Sequence, residues 1–411
     1  MAGMTLNSVL KNKLESFRCC ANDVIHFKLV RQKSDMEDDS STFHPEMTHQ
    51  LFGEQESIFG YKDLIVEMFY SASRLTTYVN MQYFEKISSN MFGGIEPDNV
   101  LETLAKEIPP GFVTNKDEFT RLLPKDASFK PYGEMIHSYK VSKGNDLRNF
   151  EIYHTNIDTP GFREYHERLQ TFILFFIDGA SFIDVDDSRW HFYLLFEKYK
   201  VNDNPMHAIA GYMTVYNYYA YPEKKRPRVS QVLILPPFQK QGHGAELLQT
   251  FYNTCYSRSE IKDITVEDPS ENFQRVRDYV DAKNCMDLAS FKSDKLLLGF
   301  SDDMVQDARN KLKLSKRQTR RIYEILRLKA TNVNNKEQYR SYRLEVKKRL
   351  NAPFQKNGRD NKKLEQVLQP NELSATMNSW PLDQRHAYLE KAYEEFEEQY
   401  KLVIDRLEKY H

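Results

Sequence analysis

The stretch Pro236 to Phe251, PPFQKQGHGAELLQTF, decides the fold. The apolar run VSQVLILP leads into it, QKQGHG turns the chain, and AELLQTFYNTCYSR follows with the spacing of an amphipathic helix. A strand, a glycine turn and a fresh helix end are therefore predicted in that order. The first N–H groups of a helix have no partner within it, and the helix dipole favours an anion there. Gly242 and Gly244 remove two side chains at that point, so a phosphate can approach the backbone closely. Glycines in that place also suit a tight turn with no ligand at all. The pattern is neither G-x-G-x-x-G nor a Walker-type Gly-Lys-Ser/Thr, so dinucleotide and nucleoside-triphosphate readings fit poorly.

The chain has 411 residues, which predicts two or three domains. A net charge of −1 makes the whole molecule a poor polyanion binder, so charged partners must be met locally and no direct nucleic-acid binding is expected. The four cysteines, Cys19, Cys20, Cys255 and Cys285, contain no C-x-x-C pair, which argues against a zinc ribbon or a thioredoxin motif. No metal site is expected. Unpaired thiols in a chain of this length point to a reducing compartment. The longest apolar run, FILFFI (Phe172 to Ile177), is too short to span a bilayer, and the amino terminus lacks the apolar stretch of a signal peptide. A location in nucleus, cytoplasm or both is expected.

Three parts are predicted. Residues 1–130 read as a mixed α+β module, with HQLFGEQESIFGYKDLIVEMFY as strand, acidic turn, strand. Residues 131–292 read as helix (FREYHERLQTFILFFIDG), three strands (WHFYLLFEKY, HAIAGYMTVYNYYAY, RPRVSQVLILPPF), glycine turn, helix, a strand in IKDITVED, and a helix capped by Ser270. Residues 293–411 read as all helical, with a capping box at Ser315 and Gln318. From Arg309 to Lys363 there are 19 Lys/Arg against 4 Asp/Glu, explained either as solvated helix faces or as a surface for an acidic partner or a ribose phosphate. Leu389, Tyr393, Phe396, Tyr400, Val403 and Leu407 form a narrow seam suited to packing on another helix, within this chain or beyond it.

QKQGHG fits the Gln/Arg-x-x-Gly-x-Gly/Ala turn of the GCN5-related N-acetyltransferase superfamily. The segments HQLFG, FGYK, ASFIDVDD, GYMTVYNYY, EDPS, RRIYEILRL and EQYRSYRL further resemble the type B histone acetyltransferase catalytic subunit, over residues 45–350 or so. The resemblance implies an α/β protein. Its centre would be a GCN5-related N-acetyltransferase fold, a mixed sheet with a splayed parallel strand pair. An N-terminal α+β domain and a C-terminal helical domain would flank it.

It also implies acetyl-coenzyme A as cosubstrate. The pyrophosphate would sit on the turn Gln239, Lys240, Gln241, Gly242, His243, Gly244 and Ala245, and the pantetheine arm would pair with the backbone of Val232, Leu233 and Ile234. Lysine acetylation needs a neutral amine, which only about one lysine in 10³ offers at pH 7. A general base within reach removes that obstacle. Glu267, at the end of DITVE, is the expected base, with Asp268 and Asp178 as secondary acids. Asp178 follows the apolar FILFFI run, where burial would raise its pKa. It stands where the family relative carries a glutamate. Glu54, Gln55 and Glu56, and Tyr216, Asn217 and Tyr218, match segments that contact the histone tail. Tyr216 and Tyr218 share one strand face and read either as core aromatics or as rings beside a lysine stem. The implied substrate is the tail of newly made, soluble histone four. The implied partner is a WD-repeat histone chaperone of the retinoblastoma-binding type. A non-catalytic scaffold for coenzyme A and histone, and an acetyltransferase for non-histone amines, are the alternatives.

Overall fold

The computed structural model describes residues 12–88, 94–144, 146–352 and 382–410. The chain divides into two compact units, Met1–Tyr218 with Arg228–Phe251, and Tyr219–Pro227 with Tyr252–His411.

Besides two short two-stranded pairs, Arg18–Cys20 with Ser57–Phe59 and Tyr61–Lys62 with Glu85–Lys86, two sheets of three or more strands build most of the first unit. In the smaller one, β1 (Ile25–Val30) runs parallel to β2 (Ile65–Ser71), and β2 pairs antiparallel with β3 (Thr77–Gln82). The larger sheet runs in the order β4 (Glu134–Lys143), β5 (Asp146–Thr155), β6 (Trp190–Val201), β7 (Asn204–Ala220), β8 (Lys224–Ile234). The β4–β5 and β5–β6 pairs are antiparallel, as is β6–β7. Between β5 and β6 lie α1 (Phe162–Gln170) and the short α2 (Ile173–Phe176). Their aromatic face closes the small sheet, with Phe27 5.0 Å from Phe175 and Tyr70 4.5 Å from Phe172 between ring centroids. Edge-to-face and tilted ring pairs at such distances add to the burial of their area.

HQLF is not a strand. His49–Phe52 forms one helical turn, because the Glu56 carboxylate accepts the Thr48 and His49 amides at 2.6 and 3.2 Å. A carboxylate on the first amides of a helix acts as a cap. The hairpin β4–β5 was not anticipated.

A bulge shapes the sheet next to the glycine turn. The β6–β7 register slips between Leu195 and Phe196, so Ala210 is the extra residue on β7. Its carbonyl accepts from the Leu235 amide at 2.9 Å. Beside it, a Cβ on Gly211 would meet the Leu233 carbonyl oxygen at 2.4 Å, so β8 comes closer here than any side chain permits.

In the second unit, β9 (Thr265–Val266) is shorter than IKDITVED suggested, and Ile261 makes only an isolated parallel bridge with Lys225. Its long helices among the described residues are α4 (Glu271–Met286), α5 (Asp302–Leu312), α6 (Lys316–Ala330), α7 (Lys336–Asn351) and α8 (Leu382–Tyr410). Ser270 caps α4 through the Phe273 amide. Ser315 caps α6 through the Gln318 amide at 3.3 Å, but the expected box is half formed. The Gln318 side chain turns instead to the buried carboxylates of Asp278 and Asp281, at 3.0 and 2.9 Å. Those buried acceptors need a donor more than the N-cap does.

The α8 seam is spent within the unit: Leu389, Tyr393, Tyr400, Val403 and Leu407 are buried, and the helix packs on α4, α6 and α7. Much of the basic stretch is spent there too. Arg320 and Arg349 hold Glu324, Arg321 holds Asp278 at 2.7 Å, and Arg327 and Lys347 pair with Glu345 and Glu390.

Candidate functional site

The glycine turn is built by β8 and α3 (His243–Tyr256). Two prolines start the turn of 3-10 helix Pro236–Phe238, and the glutamines that follow fold back on it. Gln239 donates to the Ile234 carbonyl at 2.9 Å, and Gln241 to the Pro237 carbonyl at 3.2 Å. Lys240 and Gly242 both take positive φ, +59° and +91°. Gly242 then offers its carbonyl to the Ala245 and Glu246 amides, at 3.0 and 3.2 Å. The amides before Ala245 are the unmatched donors of the helix start. Space around Gly242 is open, since an added Cβ would meet nothing within 4 Å. Open space, a fixed backbone and spare N–H donors suit a phosphate.

His243 is not part of that open face. It is buried, with Nδ1 2.7 Å from the Tyr139 hydroxyl and its ring 4.1 Å from that of Phe150. Burial, and then the Arg148 charge, pull its pKa down to about 4, so the ring is neutral at physiological pH. Arg148 stacks over Phe238 and donates to the buried Glu197, which also pairs with Arg31. The turn is thus pinned from beneath by hairpin residues.

At the far end of β7, Tyr216 and Tyr218 form an aromatic step, with ring centroids 4.6 Å apart. They are not core residues: Tyr218 is exposed and Tyr216 half-buried. Trp190 meets Tyr216 edge-on at 4.9 Å, and Arg228 lies over Tyr218 at 4.6 Å. The Tyr216 hydroxyl donates to Asp187 at 2.8 Å. Hydrogen bonds from the Arg189 guanidinium hold that carboxyl far below the usual carboxylate range. Asn217 lies between the two tyrosines, half-buried.

Glu54 and Gln55 are exposed, whereas Glu56 has structural partners. Its caps on Thr48 and His49, with a 2.8 Å bond from Asn22, hold its carboxyl below the ordinary range. Asp178 is not buried as the apolar run before it suggested. The chain turns outward after Ile177, leaving its side chain 81% exposed, and His49 Nε2 lies 3.3 Å from it. The ring of His49 also lies near Glu56, which brings two separately predicted segments together.

In the second unit, Glu267 directly follows β9 and Asp268 takes φ +25°; both are exposed. Nearby, Arg226 holds Asp263, and the Ser270 cap opens α4. Among the described residues no group of three or more His, Cys, Asp or Glu side chains could hold a metal, and no helix is long and apolar enough to cross a membrane.

The family model described as "Histone acetyl transferase HAT1 N-terminus" matches residues 17–178, and "Histone acetyltransferase type B catalytic subunit, C-terminal" matches residues 277–328. The chain is similar to the histone acetyltransferase type B catalytic subunit of Homo sapiens, 48% identical over 97% of this chain and 96% of the relative. It is similar to that of Mycosarcoma maydis, 34% identical over 75% of each. The chain belongs to the histone acetyltransferase type B catalytic subunit family.

Membership in the type B family settles the fold class as the mixed α/β acetyltransferase fold with a helical C-terminal region. It does not by itself assign the residues. Four that sequence reasoning passed over stand beside those it chose: Tyr139 and Arg148 under the turn, Asp187 against Tyr216, and His49 against Asp178. All four are polar; Tyr139 and Arg148 lie in stretches without a motif, while Asp187 and His49 lie in the segments ASFIDVDD and HQLFG, whose pattern gives neither a role. The pairing of β4 with β5, that of β6 with β7 at Trp190 and Tyr216, and the fold of the 46–50 segment bring them into place.

Proposed function

We propose that the chain transfers acetyl from acetyl-coenzyme A to lysine side chains of histone, chiefly the amino-terminal tail of newly made, soluble histone four. The observation that carries the reading is family membership over nearly the whole chain, joined to an open, pre-folded glycine turn at the start of α3. The turn residues Gln239 to Ala245 hold the pyrophosphate. Here Gln239 and Gln241 act mainly by fixing the loop, while the backbone amides do the binding. Val232, Leu233 and Ile234 offer backbone to the pantetheine arm, and an N–H there meets the developing oxyanion. Acetyl-coenzyme A supplies the thioester carbonyl.

Neutralising a lysine at pH 7 costs about 4–5 kcal/mol. Glu267 takes the proton from the substrate amine, directly or through one water; the amine attacks the thioester carbonyl in a ternary complex, and the C–S bond breaks to release coenzyme A thiolate, which leaves with a proton. Asp268 and Asp178 assist. Tyr216 and Tyr218 hold the lysine stem by apolar and cation–π contact, and Asn217 contacts the backbone of the tail. Glu54 and Gln55 meet its positive charge, while Glu56 shapes the turn that presents them. A WD-repeat chaperone of the retinoblastoma-binding type presents the histone, in nucleus and cytoplasm.

Glu267→Gln tests the base. Acetyl transfer to a histone-four tail peptide should fall by about 10² or more, while calorimetric binding of acetyl-coenzyme A is kept. Unchanged turnover with the cosubstrate still bound would show that another group takes the proton.

A further inference from the structure

The imidazole of His49 stands between two carboxylates, and no role given above uses it. Its Nε2 is 3.3 Å from Asp178 Oδ1, and its Nδ1 is 3.8 Å from Glu56 Oε1. Both are polar contacts; the first lies a small ring rotation short of a hydrogen bond, and the second is beyond its reach. The backbone under the ring is fixed, because the Glu56 carboxylate accepts the His49 amide. The loop that carries Asp178 is tied to the same segment on both sides. Before it, the Phe175 carbonyl accepts the Glu46 and Met47 amides at 3.0 and 3.2 Å; after it, Ala180 accepts from the Gln50 side chain at 2.8 Å.

Asp178 itself is far more exposed than His49, 81% against 28% of the side chain. An exposed aspartate with no fixed neighbour would sample several rotamers and seldom face a substrate. A rigidly seated donor removes that freedom.

We propose that His49 is a positioning residue for Asp178: its Nε2, 3.3 Å from the aspartate carboxylate, attracts that group and holds it in the orientation that acetyl transfer uses. The N-terminal segment then shapes the acid side of the reaction as well as the peptide groove. The proposal rests on the reading of Asp178 as an acid of the acetyltransferase site.

The test uses the full chain, a histone-four tail peptide and acetyl-coenzyme A. Its variants are His49→Ala, His49→Gln, Asp178→Asn, the double His49→Ala with Asp178→Asn, and Glu267→Gln as the reference. His49→Ala and Asp178→Asn should each lower kcat about tenfold, with the KM for acetyl-coenzyme A unchanged. The double variant should be no slower than Asp178→Asn alone, since the histidine acts only through the aspartate. Glutamine can place an amide donor near the position of Nε2, so His49→Gln should recover most of the rate. An exposed pair contributes little to stability, so the thermal midpoint of His49→Ala should match that of the parent.

Losses that multiply in the double variant, or full activity in Asp178→Asn, would overturn the proposal. So would a His49→Ala defect that tracks a lowered midpoint and is not recovered by glutamine. The reference keeps the two levels apart. If Glu267→Gln collapses while Asp178→Asn is normal, only the role of His49 falls. If Glu267→Gln is also normal, the wider reading of the site falls with it.

Discussion

His243 lies inside the glycine turn by sequence and inside the core by structure, and His166 on α1 is its counterpart deeper in the same unit. Burial pulls the pKa of each down to about 4, for His243 with help from Arg148. In the unfolded chain both return to about 6.5. Between those values the unfolded state binds more protons, so stability is full above about pH 6.5 and is lost as pH falls toward 4. At pH 5 the loss is roughly 2 kcal/mol for each histidine. Urea midpoints at pH 7.5 and pH 5 should show it. Among the described residues His166 has no hydrogen-bond partner on either ring nitrogen, and it sits against Phe162 and Phe192. His166→Phe should therefore keep the packing, hold stability at pH 7.5, and remove about half of the acid loss. An unaltered pH slope would show that the imidazole is not the titrating group.

At the scale of elements, long apolar runs were legible and half-exposed ones were not. β6, β7 and β8, α3 and α4 follow their sequence patterns because each buries a continuous face. The hairpin escaped because β4 alternates half-buried His137, Tyr139 and Val141 with exposed Ser138, Lys140 and Ser142. Such alternation is the pattern of a half-buried strand, but a histidine, a tyrosine and one valine carry too little apolar weight to mark it among the polar residues between them. HQLF misled for another reason: Glu56, a residue outside the run, caps its amides. The glycine turn was readable because its chemistry is local, whereas Tyr139 and Arg148 act across the sheet.

The bulge offers a test at this scale. Gly211→Ala would drive a Cβ against the Leu233 carbonyl and the Ile234 Cα, at 2.4 and 3.0 Å, and backbone cannot swing aside as a side chain could. β8 would have to move at the residues assigned to the pantetheine arm. Calorimetry should show acetyl-coenzyme A binding weakened by about tenfold or more, with little change in tail-peptide affinity. Unchanged cosubstrate affinity would remove Val232 to Ile234 from the binding surface.

For the whole molecule, a net charge of −1 conceals local excesses, and part of the basic one meets its cancellation inside the second unit. Glu324 is the centre of that cancellation. It is 1% exposed, receives Arg320 and Arg349, and accepts the Tyr400 hydroxyl of α8 at 3.0 Å. Removing one partner of a buried ionic network leaves the others without compensation. Glu324→Ala should lower the unfolding free energy by about 3 kcal/mol or more, read from urea denaturation monitored on the helical signal. A loss below about 1 kcal/mol would place the network in the range of surface pairs.

The same unit limits what the proposed chaperone could grip. With the greasy seam of α8 already sealed, the outward side of that helix shows Glu394, Glu395 and Glu398 to water. A propeller landing there would meet bristles of carboxylate, and its docking would then be a matter of ionic steering: fast in dilute buffer, and slackening as salt rises.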